Sequence, residues 1–163
     1  MFKDIIIIII LLVILMIGIF MDVRKKKVDR ALRLIQRESQ KTTDAAFSSS
    51  IKKIPEIDLD DQKQNFSSEL VSNIWGSKVT AFEYSIEDPG IKTSDLPYIK
   101  KDLTYYLRQY ATAHQLKAYQ GNPVFYISDI WIFANVLHID ISHITNQATL
   151  SYIKDVKKSD KTN

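Results

Sequence analysis

Ile5 to Met21 is a run of 17 uncharged, almost wholly apolar residues bounded by Asp4 and Asp22. It opens on Ile5, Ile6, Ile7, Ile8, Ile9 and Ile10. It continues through Leu11, Leu12, Val13, Ile14, Leu15, Met16, Ile17, Ile19 and Phe20, and Gly18 is its one residue without bulk. As a helix it is roughly 25 Å long at about 1.5 Å per residue. That is the short end of the ~17–25 residues that span a bilayer core. A helix closes its own backbone hydrogen bonds, which lipid requires. Residues 1–21 are therefore expected to be a membrane anchor. A cleaved secretory signal fits less well. Lys3 is offset by Asp4, and Phe20-Met21-Asp22-Val23-Arg24 holds no small-x-small cleavage site.

Charge divides the rest of the chain. Residues 22–53 carry ten Lys/Arg against four Asp/Glu, whereas residues 54–163 carry eleven against fourteen. Arg24, Lys25, Lys26 and Lys27 follow the apolar run directly, and such a collar contacts anionic headgroups. The acidic distal part carries no nucleic-acid recognition motif, so no nucleic-acid partner is expected. There is no cysteine, which removes disulfides, thiol catalysis and cysteine-ligated metals.

From Val23 to about Ser50 neither Pro nor Gly interrupts the chain. Val28, Ala31, Leu32, Ile35 and Ser39 recur at helical spacing. One helix is expected to continue from the anchor through a basic amphipathic stalk, residues 22–53, and to end before Pro55. A small domain, residues 54–156, follows. Its first helix is expected over 60–75, capped by Asp58 or Asp60, stopped by Gly76, and burying Phe66, Leu70, Val71, Ile74 and Trp75. Phe82, Tyr84 and Ile86 alternate as the inward face of a strand over 78–87. After a turn at Asp88-Pro89-Gly90, a helix capped by Ser94 or Asp95 is expected to run to about Tyr119. Leu96, Ile99, Leu103, Tyr106, Tyr110 and Ala113 lie on its buried face, with Leu107 beside them. Val124 to Ser142 is rich in β-branched and aromatic residues, with Asp129 and Asn135 as bends or bulges. His143–Gln147 reads as a turn, 148–156 as a returning strand and 157–163 as a disordered polar tail. The expected fold class is α+β, with two helices beyond the stalk and a mostly antiparallel sheet of about three to five strands.

No residue pattern carries catalysis, a cofactor or a metal site. His138 and His143 flank Asp140, but ordinary surface or turn positions explain them better than ligation. Asp58, Asp60 and Asp61 lack the spacing of a calcium loop, and the four glycines are scattered. Tyr105 and Tyr106 are adjacent on a helix and cannot both face one core. With Tyr110 they form a candidate protein interface.

The order of parts resembles the minor pilin-like proteins of tight-adherence (Tad-type) and related filament systems in Gram-positive bacteria. Across roughly residues 1–90 an apolar helix runs into a basic stalk, Asp22-Val23-Arg24 to Arg30-Ala31-Leu32 and Ala45-Ala46. An Ile57-Asp58 linker follows, then a segment with Phe66 and Leu70, and the 79–86 strand. The sequence departs from ordinary type IV pilins in having no prepilin peptidase site before the apolar run and no glutamate at its start. The resemblance implies a domain outside the cytoplasm and a helix packed against other subunits. The positive-inside rule, applied to Arg24 through Arg37, implies the reverse. The expected function is a non-enzymatic, single-pass subunit of a pilus-like, secretion or conjugation assembly in the cell membrane, facing outward. Its expected partners are the lipid bilayer, other assembly subunits and further copies of itself. The alternative is a cytoplasm-facing scaffold or regulator that recruits partners to the inner leaflet.

Overall fold

The computed structural model describes residues 2–57, 66, 68–71, 78–87 and 90–159, with side chains from Leu12 onward and at Ile6 and Ile9. Helix α1 spans Phe2–Ile51, 50 residues in all, the uninterrupted helix the sequence implies. Strands β1 (Ser68–Leu70) and β2 (Ala81–Glu87), helix α2 (Leu96–Ala113), strands β3 (Phe125–Phe133) and β4 (Val136–His143), and helix α3 (Gln147–Ser159) follow. The four strands form one antiparallel sheet in the order β1-β2-β4-β3. The α+β class is as expected. The chain divides into two compact units, residues up to Ile35 and residues from Gln36 onward.

In the first unit the described side chains of α1 are mostly exposed, among them Val28 and Ile35 from the expected stripe. Among the described residues, no helix is long and apolar enough to cross a membrane. The isoleucine run that opens the expected anchor lies largely outside the described side chains.

In the second unit the same helix becomes core. Ser39, Thr43, Ala46, Phe47, Ser50 and Ile51 are buried at three- and four-residue spacing, which places them on one helical face. Phe47 stacks on Tyr84 at 3.9 Å and meets Phe66 edge-on at 5.2 Å. Beside this stack, Asp44 Oδ1 accepts hydrogen bonds from Tyr84 Oη (2.7 Å) and Ser68 Oγ (2.6 Å). Gln40 Nε2 donates to the Ser68 carbonyl and hydroxyl. Burial first, then the Asp44 charge, raises the Tyr84 phenol far above its ordinary range. Ile99, Leu103 and Leu107 of α2 and Ile139 and Ile141 of β4 complete this core.

Two expected elements have the other secondary structure. Ser68–Leu70 is a strand, where the helix over 60–75 was expected. Phe66, Ser68 and Leu70 turn inward while Glu69 stays exposed, a period of two that the longer helical spacing hides. Residues 58–65 and 72–77, with Ile74, Trp75 and Gly76, lie outside the described residues. Residues 147–159 form α3, where a strand over 148–156 was expected. Asn146 Oδ1 accepts from the Thr149 backbone N–H at 2.9 Å, an N-terminal cap. Thr149, Tyr152 and Ile153 are then buried at helical spacing. The polar tail is helical as far as Ser159.

Smaller differences have local causes. Helix α2 stops at Ala113, six residues before Tyr119, because Gln115 takes a positive φ of 52°. Ala113 is consequently exposed. Its start lies where expected, with Asp95 at the N-cap position and Pro97 in the first turn, but the Asp95 carboxylate accepts from the Lys92 backbone N–H rather than capping α2. The bend at Asp129 is a bulge: the β3–β4 register shifts between Ile127 and Asp129. The extra residue keeps Ile127, Ile130 and Ile132 on the core face on both sides of it. Ala134 and Asn135, at φ 50° and 62°, make the two-residue hairpin turn.

Phe47 holds both aromatic contacts of the helix-to-sheet core. Phe47→Ala is expected to cost about 3–5 kcal/mol, read as a lower urea midpoint in detergent solution. Lys101→Ala, on the exposed side of α2, is expected to leave the midpoint unchanged.

Candidate functional site

The sheet has two unlike faces. Helices α1 and α2 cover one. Helix α3 covers part of the other, where Ala81, Tyr152 and Ile153 form a second small core with Val79, Ile144 and Leu150. Thr80 fixes that end. Its hydroxyl lies 2.6 Å from the His143 carbonyl and 2.9 Å from Thr149 Oγ1. The rest of this face is open, and strand register brings its carboxylates together. Glu69 pairs with Glu83, Glu83 with Asp140, and Asp140 with Asp129. Register partners share a face, and neighbouring strands lie about 4.8 Å apart. Four acids therefore form one rung across all four strands.

The rung is graded in burial. Glu69 and Asp129 are exposed, Glu83 is partly exposed and Asp140 is 8 % exposed. Glu83 Oε1 lies 2.8 Å from His138 Nδ1. A carboxylate can only accept, so that ring nitrogen carries the proton. Asp129 Oδ1 accepts from the Ile130 backbone N–H. Asp140 Oδ1 is buried with no hydrogen-bond partner. Burial, then the charges of Glu83 and Asp129, push the Asp140 carboxyl up to about 7. Tyr152 is pushed up to about 12, by burial and then by Asp140. Trp131 stacks on His138 at 4.9 Å, and Phe133, 71 % exposed, extends the aromatic rim.

The histidines that flank Asp140 in sequence part company in space. His138 lies on the open face with Glu83, while His143 Nδ1 is 2.8 Å from Ser39 Oγ. His143 is largely buried rather than a surface residue, and burial lowers its pKa although Ser39 acts the other way. Among the described residues, no group of three His, Cys, Asp or Glu side chains is placed to hold a metal ion.

The candidate interface tyrosines lie on the opposite side of the domain. Tyr105 is 56 % exposed, whereas Tyr106 and Tyr110 pack against the main core. Tyr105 meets Tyr106 edge-on at 5.3 Å, and Tyr110 stacks on His114 at 4.0 Å. Lys53 lies over the Tyr106 ring at 5.4 Å. A groove of about 540 Å³ runs past Ser49, Lys53, Tyr105, Arg108, Tyr110 and His114, and a neighbouring cavity of about 680 Å³ shares Arg108 and Thr112 with it. Arg24, Lys25, Lys26 and Lys27 are exposed on α1. Helical adjacency singled out Tyr105, Tyr106 and Tyr110 but not the groove beside them. The acidic rung was not legible, because Glu69 read as helical and strand register cannot be taken from one sequence.

No protein family, curated protein or solved structure matches this chain.

Asp140 makes a pH-dependent prediction. Its carboxyl lies above its ordinary 3.8 in the folded protein, so the folded state binds the extra proton between about pH 4 and pH 7. Its contribution to stability is complete below pH 4 and is lost as pH rises through 7. His143 acts in the opposite sense below pH 6.5, so the wild-type curve mixes the two. Asp140→Asn separates them. At pH 8 the variant is expected to be more stable than wild type by on the order of 2 kcal/mol, with that advantage gone at pH 4, in urea unfolding at both pH values.

Proposed function

We propose that this protein is a non-enzymatic, single-pass membrane subunit of a pilus-like or secretion-type assembly, with a small α+β interaction domain following its membrane helix. The observation that carries the proposal is α1 itself. From Leu12 to Met21 every bulky side chain is between 50 and 71 % exposed, and in sequence the apolar run reaches back to Ile5. A cylinder of that length with apolar groups all round is stable in hydrocarbon and costly in water. Ile5 to Phe20 insert into the bilayer, and Arg24 to Lys27 meet the headgroups. The helix continues without a break into the core of the domain at Ser39 to Ile51. Anchor and domain are therefore joined by helix rather than by a loose linker.

Two surfaces suit the domain to contact other proteins: the tyrosine groove beside α2 and the acidic open face of the sheet. Exposed Tyr105 and Phe133 and the groove residue Arg108 are of types enriched where proteins meet. The outward orientation follows the order of parts, and the basic collar favours the cytoplasmic scaffold. Labelling decides between them.

The test uses the absence of cysteine. Cysteines are placed singly at exposed Lys101 and Lys158, and membranes are extracted with alkaline carbonate. The wild-type chain is expected to stay in the membrane pellet, and Leu12→Arg with Leu15→Arg to release it. Recovery of the wild-type chain in the supernatant overturns the anchor. Labelling of both cysteines in intact cells by an impermeant maleimide is the expected result. Labelling only after lysis places the domain in the cytoplasm and makes the inner-leaflet scaffold the function.

A further inference from the structure

The acidic rung has a counterpart in the same chain. Lys26, Arg30, Arg33 and Arg37 follow 4-3-4 spacing on α1, and all four are exposed. At about 100° per residue they fall within one narrow stripe, roughly 16 Å long at 1.5 Å per residue. The rung crosses three inter-strand steps, about 14 Å. Four cations in a line thus match four carboxylates in a line, in both number and length. Of the stripe, Lys26 is paired with Asp22 at 2.8 Å, where both are well exposed, and such a pair is worth little and exchanges readily.

We propose that the open sheet face of one copy binds the Lys26–Arg37 stripe of a second copy, and that this contact propagates the assembly. The inference rests on the membrane-subunit reading above and names its partner surface. The rung by itself would be an exposed acidic cluster. What distinguishes it is Asp140, nine-tenths buried between two other acids, whose Oδ1 has no donor. On its own strand and face His138 is engaged with Glu83 at 2.8 Å, and the residues Asp140 pairs with across the sheet, Glu83 and Asp129, add to its negative field. A row of guanidinium groups laid over Glu69, Glu83 and Asp129 offsets the negative charge of a rung in which Asp140 Oδ1 has no donor. Trp131 and Phe133 border the rung, and aromatic faces of this kind receive arginine. Arginine is weakly hydrated and forms forked pairs with carboxylates, so its use at three of the four stripe positions suits a partly buried contact.

The two patches are different surfaces of one chain. A contact between them is heterologous: each copy that docks its stripe leaves its own acidic face free for the next. Continued from copy to copy, the contact makes an open row or a ring; exchanged between two copies it makes a two-fold dimer, so a cross-linked ladder that stops at the dimer overturns the propagation.

The test again uses introduced cysteines, at positions that leave both charge rows intact. Leu34, 61 % exposed beside the stripe, and Ser85, exposed on the open face two residues from Glu83, are changed to cysteine in differently tagged full-length chains. Membranes holding both chains are treated with a short bismaleimide. A mixed-tag product is expected. It should fall about tenfold when Arg30→Glu and Arg33→Glu are added to one chain, or Glu69→Lys and Asp129→Lys to the other, and return when both reversed chains are combined. A chain with both cysteines should give a ladder of multimers, and that ladder should weaken in high salt.

A mixed-tag yield no higher than that of a Lys101→Cys and Ser151→Cys control pair overturns the proposal. So does a yield that charge reversal leaves unchanged. A doubly substituted chain that links only to itself, with no mixed-tag product, assigns the contact to one chain and also overturns it. Carbonate extraction of the same membranes reports the anchor separately, so loss of cross-linking with the chain still in the pellet is a failure of this contact alone.

Discussion

The second unit depends on Asp44 and Phe47, one turn apart on α1. Phe47 is fully buried between Tyr84 and Phe66, and Asp44 accepts from Tyr84 and Ser68 at the edge of that stack. These contacts bind three parts of the chain distant in sequence: the helix, the short strand β1 and the central strand β2. A carboxylate in partly buried surroundings is tolerated because two hydroxyls point at it. The same donors fix where β1 lies. With only three residues, β1 would be a weak edge strand without Ser68 and Gln40 joining it to the helix.

The first unit reads differently. The same helix has no buried side chain among those described before Ser39. Residues 2–35 and residues 36–51 share one backbone geometry, and only their surroundings differ. Isolated helices hold by local bonds, and tertiary packing supplies most helical stability in proteins. The described side chains of this 50-residue helix are buried only from Ser39 onward, so its earlier turns lack that support. In the proposed function, hydrocarbon along the apolar run supplies it.

Legibility in the sequence followed periodicity. The long helix, β2, the start of α2 and the β-rich stretch 124–142, with Asp129 and Asn135 as bends or bulges, carry patterns long enough to decide, while the division of that stretch into β3 and β4 was not specified. The two elements that differ were decided by something other than local pattern. Ser68–Leu70 is too short to show its alternation, and pairing with Phe82 and Tyr84 makes it a strand. Residues 147–159 contain Thr149, Tyr152, Ile153 and Val156, which satisfy a helical stripe as well as Leu150 and Tyr152 satisfy alternation. The Asn146 cap settles it, and Asn at a helix start was the signal available. For the sites, helical spacing grouped Tyr105, Tyr106 and Tyr110 because neighbours on a helix are fixed by the chain, but the groove also needs Ser49 and Lys53 and was not legible. The acidic rung joins residues 69, 83, 129 and 140, and only register could align them.

That rung also explains the most unusual feature of the open face. A buried aspartate between two acids lowers stability near neutral pH, and an apolar residue at the same place would pack against Tyr152 at no such cost. The Thr80–Thr149 and Ser128–Ser142 hydroxyl pairs match buried polar groups on this face. Among the described residues two buried polar atoms are left without a partner, the Ser50 hydroxyl and Asp140 Oδ1, and Asp140 is the carboxyl of the two. Such exceptions mark positions where stability is given up for recognition. The loss is recovered by protonation or by an opposing charge, and in the proposed contact the stripe of a second copy supplies that charge.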